Sequence, residues 1–118
     1  MAADPRDLSA LLIERYNARD LDGMLELVAH DVDYVRPGPV VVHGLAGVRA
    51  RYEEDWAMFD TSRVELTSMV ASGDDVAAEI HMTLRRGAAT IEAEGAVFHG
   101  WRDGLLRRYR AFFDPLPG

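Results

Sequence analysis

Apolar residues in the first part of the chain recur every three or four positions, which is the spacing of a helix with one buried face. Asp4 and Pro5 predict the start of such a helix, because aspartate caps a first turn and proline fits its first position. The apolar residues that follow at this spacing are Leu8, Leu11, Leu12 and Tyr16. The pattern therefore predicts a first helix with Tyr16 on its apolar face.

Two more helices are predicted before the middle of the chain. Asp20 can cap a short second helix, whose apolar stripe is Leu21, Met24, Leu25 and Val28. The third helix is predicted over 45–59, and the residues on its apolar face are Val48, Tyr52, Trp56 and Phe59. The acidic run 53–55 is interpreted as the solvated face of this helix. Between these helices we predict a short strand that ends at the turn 37–39, followed by a connector that could hold a second short strand.

From about Arg63 onward, apolar and polar residues alternate, as in strands with one buried face. Strands are predicted over 63–72, 76–85 and 89–101, and a last strand follows the tight turn 102–104. In the strand 76–85 the even-numbered residues are apolar and the odd-numbered ones are mostly polar. If the next strand pairs in register, the same alternation predicts a set of inward-facing residues there, namely Ile91, Ala93, Val97, His99 and Trp101.

Helices that precede a run of antiparallel strands are typical of the α+β class. We predict a single domain spanning 1–118, in which three helices pack on a curved, mostly antiparallel sheet. The apolar face of such a sheet must enclose either a packed core or a pocket.

The composition restricts the partners of this domain. Of the 118 residues 48% are hydrophobic, which suits a folded domain, and the net charge is −7. A negative protein repels the phosphates of nucleic acids and of anionic membranes. No apolar run approaches the roughly 20 residues of a membrane span, and the first ten residues do not resemble a signal peptide. We therefore expect a cytoplasmic protein that binds neither nucleic acid nor membrane.

The residue types exclude several chemistries. There is no cysteine, which excludes thiol nucleophiles, and all 13 basic residues are arginine, which excludes a lysine Schiff base. None of the four histidines stands at metal-ligand spacing to another. We predict neither a metal nor another cofactor.

Three segments carry a resemblance to a known family: ERYNARDLDGMLELVAHDVDYV at 14–35, HGLAGVRARYEEDW at 43–56 and FHGWRDGLLRRYRAFFDP at 98–115. In combination they resemble the SnoaL-like branch of the nuclear-transport-factor-2-like superfamily. The resemblance implies a cone-shaped α+β barrel with a deep pocket, and frequent dimers through the outer face of the sheet. Relatives include ketosteroid isomerases, limonene epoxide hydrolases, polyketide cyclases and non-catalytic binding proteins, so the fold alone does not name a reaction.

The catalytic positions of these relatives are mostly unoccupied by reactive groups here. The resemblance matches Tyr16 with the tyrosine that ketosteroid isomerases use as an oxyanion donor. The positions of the relatives' acids, and of one arginine, are occupied by Arg36, Ile80, Met82, Val97 and Ala111. Ala111 takes the place of the last-strand acid of the epoxide hydrolases and cyclases, and its methyl group cannot transfer a proton.

Tyr16 and His99 are the candidate catalytic residues. Tyr16 could donate to a developing oxyanion, and His99 could shuttle a proton because imidazole titrates near neutral pH. Either could instead be a core residue, His99 as a neutral, hydrogen-bonded ring. Arg36 could orient an anionic substrate or lie solvated at a strand end. The other candidates for substrate binding, each of which could instead fill the core, are Tyr34, Trp56, Phe59, Met82, Trp101, Tyr109 and Phe113.

Three functions fit these observations. The first is an enzyme without cofactor, an isomerase, cyclase or hydrolase that acts on an apolar, polyketide- or steroid-like small molecule. The second is a non-catalytic ligand-binding protein that lacks the acids of its relatives. The third is a dimeric interaction protein whose interior is filled by its aromatic side chains. The outer sheet face, which is polar except for Phe98, predicts a homodimer.

Overall fold

The computed structural model describes residues 3–114, so the predicted end of the last strand at Pro115 lies outside the described residues. The helices are α1 (Pro5–Asn17), α2 (Leu21–Leu25) and α3 (Gly44–Met58). The strands are β1 (Val28–Arg36), β2 (Val40–His43), β3 (Thr61–Ser72), β4 (Asp75–Arg86), β5 (Ala89–Arg102) and β6 (Leu105–Asp114). The predicted α+β class, with three helices on a mostly antiparallel sheet, is confirmed.

The predicted helix starts are formed by the predicted caps. The Asp4 carboxylate accepts a hydrogen bond from the backbone N–H of Arg6, and Asp20 caps α2 through the N–H of Gly23. The assignment of Val28 to the stripe of α2 is wrong. The helix ends at Leu25, and Leu27 O already accepts from Leu106 N at 2.7 Å, so the chain enters the sheet there.

The six strands form one sheet in the order β2-β1-β6-β5-β4-β3. Every neighbouring pair is antiparallel except β1 and β6, which run parallel. The last strand is therefore inserted beside the first one. The connector at 40–47 contributes β2, which pairs with β1 and forms one edge of the sheet.

The alternation along β4 separates an inner from an outer face. Val76 and Ile80 are buried on the inner face, whereas His81 lies on the outer face, with its ring nitrogens 2.6 Å from Glu94 and 3.3 Å from Glu92. Helices α1 and α3 cover the inner face, α1 against β3 and α3 against β1. None of the helices in the described part of the chain is long and apolar enough to cross a membrane.

Asn17 joins the end of α1 to the edge strand β3. Its side-chain amide donates to Val64 O and accepts from Val64 N, both at 2.8 Å. We expect Asn17→Ala to lower the free energy of unfolding by about 2 kcal/mol, because two partly buried backbone groups lose their partner. Urea denaturation would measure this loss. Thr67→Val, which removes one exposed hydrogen bond to Glu79 O, serves as the control and should cost less than about 0.5 kcal/mol. Equal losses in both variants would contradict this role of Asn17.

Candidate active site

A cavity of about 290 Å³ lies between the inner face of the sheet and helices α1 and α3. Most of its wall is apolar, with Ile80, Leu84 and Val97 from the sheet and Leu12 from α1. The sequence-predicted site residues that line it are Tyr16, Arg36, Phe59, Met82, His99, Tyr109 and Phe113. The structure thus brings both candidate catalytic residues to one cavity.

Three residues that we predicted to contact substrate lie behind the cavity wall instead. Tyr34 stacks on Tyr109 with ring centroids 4.1 Å apart, and its hydroxyl bonds to that of Tyr52. Trp101 is buried in the core and does not line the cavity. Trp56 packs on Tyr16 and Tyr52 without lining the cavity.

His99 belongs to a buried hydrogen-bonded chain that starts at Trp101. The indole N–H of Trp101 donates to Ser9 Oγ at 2.9 Å, and Ser9 Oγ lies 2.8 Å from His99 Nδ1. Ser9 is fully buried, and within residues 3–114 its hydroxyl has no other acceptor than this nitrogen. Its proton must therefore point at Nδ1, since a buried hydroxyl without an acceptor is costly. This arrangement places the ring proton of neutral His99 on Nε2, so that the ring is a donor there.

The titration of His99 departs from the sequence-based expectation. Burial lowers the pKa of His99 to about 4, so the ring is uncharged at neutral pH. A titration near neutral pH, on which the proposed proton shuttle depended, is therefore not expected from this residue. A neutral imidazole with its proton on Nε2 can polarise a substrate oxygen but cannot accept a proton at that atom.

All four tyrosines of the chain lie in one cluster around the cavity. Burial raises the pKa of Tyr16, Tyr34, Tyr52 and Tyr109, so each keeps its proton at physiological pH. At Tyr16, the neighbouring side chains of Ser62 and Trp56 oppose the effect of burial on the pKa, although neither makes a hydrogen bond of normal geometry with its hydroxyl. The Tyr16 hydroxyl is thus a neutral donor at the cavity.

The Arg36 guanidinium forms an ion pair inside the cavity with Asp55. Arg36 Nη2 lies 2.5 Å from Asp55 Oδ2, and both side chains are about three-quarters buried. Burial disfavours the charge on Arg36, but Tyr52 and Asp55 outweigh it and raise the pKa of the guanidinium. Asp55 was expected on the solvated face of α3, and that expectation is wrong. It lies one turn after Tyr52 and is the single carboxylate among the described residues that line the cavity.

Several buried donors beside the cavity have no hydrogen-bond partner within the described residues. Those that line the cavity are Arg36 Nη1, Arg51 Nε and Ser62 Oγ, and Trp56 Nε1 is a further one behind its wall. Buried polar groups are nearly always paired in proteins. A group of unpaired donors around one cavity therefore indicates a ligand that supplies acceptors.

Sequence reasoning missed Ser9, Arg51, Tyr52, Asp55 and Ser62 as site residues. Ser9 carried a weak signal, because it lies on the same face of α1 as Ile13 and Tyr16, one and two turns before them. Tyr52 was predicted on the correct helix face, but no role in ligand binding or catalysis was predicted for it. Nothing in the local sequence distinguishes Asp55 from the exposed acids beside it.

Two further observations concern the last strand and the acidic and histidine side chains. Ala111 is buried opposite Val97, so the last strand carries a methyl group where the resemblance implies a catalytic acid in epoxide hydrolases and cyclases. Among residues 3–114 no group of three or more His, Asp or Glu side chains is arranged to hold a metal ion.

Comparison with known proteins places this geometry in a family. The family model for the SnoaL-like domain matches residues 10–109. IdmH from Streptomyces antibioticus, provisionally assigned as a polyketide cyclase, superposes with a TM-score of 0.86 at 22% identity, over 96% of this chain and 94% of IdmH. TerC, co-crystallised with polyporic acid, gives a TM-score of 0.84 at 19% identity, over 94% and 92% of the two chains.

A third similar structure is a protein of ketosteroid isomerase-like fold from Catenulispora acidiphila, in complex with trimethylamine. Its TM-score is 0.80 at 16% identity, over 88% of this chain and 82% of that one. A comparison with curated proteins by sequence found no match. At these identities the similar structures establish the fold and leave the reaction open.

Proposed function

The chain belongs to the SnoaL-like domain family, and we propose that it is an enzyme without cofactor that performs acid–base chemistry on an apolar small molecule. The reaction class is that of an isomerase, cyclase or related hydrolase, and the substrate is polyketide- or steroid-like. The observation that carries the proposal is the convergence of Tyr16, His99 and the Arg36–Asp55 pair on one largely apolar cavity. A cavity without a ligand-binding or catalytic role would not need polar groups that converge on it.

The polar groups divide into donors and one acceptor. Tyr16 O–H and His99 Nε2–H are neutral donors for the oxygen of a substrate carbonyl. Asp55 can take a proton from the carbon next to that carbonyl, while Arg36 holds one of its oxygens. The electron pair of the broken C–H bond then moves to the carbonyl oxygen, and the resulting enolate is stabilised by the donors. Proton return at another carbon gives isomerisation, and attack on a second carbonyl gives cyclisation.

The test follows the step that isomerisation and cyclisation share. 2-Tetralone, an apolar ketone with exchangeable α-protons, is incubated in D₂O with the protein, and deuterium uptake is followed by NMR. The proposal predicts an accelerated exchange that saturates with ketone concentration. Exchange no faster than with an equal amount of the heat-denatured protein would contradict it.

The Tyr16 hydroxyl is expected to contribute strongly to this exchange. Tyr16→Phe should lower the saturated rate by about 10²-fold, because a buried donor stabilises the enolate oxygen more than the carbonyl. The control is Tyr34→Phe, which removes a hydroxyl behind the wall that already bonds to Tyr52. Equal rates for Tyr16→Phe and the unchanged protein would remove Tyr16 from the mechanism.

A non-catalytic binding protein is the second candidate. It is favoured by the methyl group at Ala111 and by the ion pair that already engages Asp55. Such a protein would bind 2-tetralone without accelerating its exchange. The third candidate, a dimeric interaction protein, required an interior filled by Trp56, Phe59, Trp101 and Phe113. In the structure, Phe59 and Phe113 line an open cavity instead.

We also propose that a second copy of the chain covers the outer face of the sheet. Phe98 and Phe112 are 40% and 54% exposed there and contact each other edge to face, with centroids 6.0 Å apart. The acids Glu92 and Glu94 lie to one side of this pair along β5, and Arg110 of β6 stands directly opposite Phe98. A two-fold axis near the phenylalanines would bring acids over arginines.

Sedimentation at tens of micromolar tests the dimer. We expect a dimer for the unchanged chain and a monomer for the double variant Phe98→Ser and Phe112→Ser, which loses the apolar centre of the face. If the unchanged chain sediments only as a monomer, the dimer proposal is overturned and the proposed enzymatic function is unaffected.

A further inference from the structure

The charged groups of the cavity wall do not balance. Arg36 and Arg51 line it with guanidinium groups, Asp55 supplies one carboxylate, and His99 is uncharged at neutral pH. The described wall therefore carries one net positive charge, inside a protein whose overall charge is −7. The only ion-pair partner of Arg51 in the described chain is Glu54, at 3.4 Å on the exposed helix surface, and such a pair neutralises little.

The two arginines are placed to act on one ligand group. Arg51 and Asp55 are separated by one turn of α3 and thus share a helix face. Arg36 approaches the same face, with its guanidinium carbon 5.7 Å from the centre of the Tyr52 ring and its Nη2 on Asp55. Each arginine keeps one buried nitrogen, Arg36 Nη1 and Arg51 Nε, that finds no partner among residues 3–114.

We infer that Arg36 and Arg51 form a subsite for a carboxylate at one end of an otherwise apolar ligand. Guanidinium groups bind carboxylates through charge-assisted hydrogen bonds, and one net positive charge matches a single anion rather than a dianion such as phosphate. The ligand carboxylate and Asp55 would share Arg36, one on each terminal nitrogen. The aliphatic and aromatic wall, including Ile80, Met82 and Phe113, would hold the apolar body. This inference rests on the proposed function and adds the acidic character of the substrate.

The test compares two probes of nearly equal shape, 2-naphthoate, which is an anion, and 2-naphthamide, which is neutral. Their dissociation constants are measured by titration calorimetry at pH 7. The inference predicts that 2-naphthoate binds at least about tenfold more tightly than 2-naphthamide. Comparable affinities for both probes would overturn the carboxylate subsite and leave the proposed function intact. Binding of neither probe would overturn both, because the cavity would then not accept an apolar ring system.

Three variants test whether Arg36 and Arg51 account for the tighter binding of 2-naphthoate. Arg51→Met should weaken 2-naphthoate by about tenfold and leave 2-naphthamide unchanged. Arg49→Met is the matched control, since Arg49 lies on the same helix, pairs with exposed Asp22 outside the cavity and changes the net charge equally. Arg36→Lys keeps a charge beside Asp55 and so avoids an unpaired buried acid, but it removes the second donor and should also weaken only 2-naphthoate. Equal weakening of both probes, or the same loss in Arg49→Met, would overturn the assignment.

Discussion

Asp55→Asn is expected to lower the saturated rate of deuterium exchange in 2-tetralone by about 10²- to 10⁴-fold, the contribution of a positioned general base. The amide keeps the size of the side chain and can still accept a hydrogen bond from Arg36, so the cavity keeps its shape. It cannot accept a proton from carbon. NMR of the ketone in D₂O at saturating concentration gives the rate directly.

Glu54→Gln is the control for Asp55→Asn. Glu54 precedes Asp55 on α3, but its carboxylate is exposed and does not line the cavity. Its removal changes the net charge by the same amount and should leave the exchange rate within about twofold. If Glu54→Gln and Asp55→Asn behaved alike, the base would have to be sought elsewhere, and the binding protein would become the better description.

The stability of the protein should depend on pH through His99. The pKa of this ring is about 4 in the folded protein and 6.5 when unperturbed, so between these pH values only the unfolded chain binds the proton. Proton uptake by the unfolded chain lowers stability as the pH falls. The full stabilisation is present above pH 6.5 and is lost progressively toward pH 4. At about 1.4 kcal/mol for each pH unit, the loss amounts to about 3 kcal/mol.

Urea denaturation between pH 7 and pH 4 measures this loss in the unchanged protein and in His99→Asn. Because carboxylates also titrate near the acid end, the informative quantity is the difference in pH dependence between the two proteins. His81→Asn is the control, since His81 lies half-buried on the outer face beside Glu94 and Glu92, and these acids raise its pKa. That variant should retain the acid loss. An identical pH dependence for His99→Asn and the unchanged protein would show that the ring takes up its proton without unfolding.

The elements could be predicted because their signals are local. The cap at Asp4 and the alternation along β4 each involve neighbours within one helix turn or one strand, and both are present as predicted. The same alternation indicates that His99 points inward and His81 outward. Val28 was misplaced because an apolar residue that starts a strand also fits the stripe of the preceding helix, and only the pairing with β6 distinguishes the two.

The details of the site escaped prediction because they depend on contacts between distant segments. Ser9 meets Trp101 and His99 across most of the chain, and this contact fixes which ring nitrogen of His99 carries the proton. Asp55 enters the cavity because Arg36, at the end of β1, pairs with it. The spacing of residues within α3 does not predict that Arg36 is the partner of Asp55. The departures from expectation therefore concentrate where tertiary contacts, rather than periodicity, determine the environment of a side chain.

The insertion of β6 between β1 and β5 has a consequence for how the protein folds. The hairpins from β3 to β6 join neighbouring parts of the chain, whereas the parallel pairing of β1 with β6, reinforced by the stack of Tyr34 on Tyr109, closes a loop over most of the sequence. Such long-range pairing slows folding, because the loop must be ordered before its contacts form. We expect amides of β3 to β5 to become protected from exchange before those of β1. Since β1 carries Arg36, the cavity would acquire the second of its two guanidinium groups only in this last step, and an acidic ligand that needs both would stabilise only the completed fold.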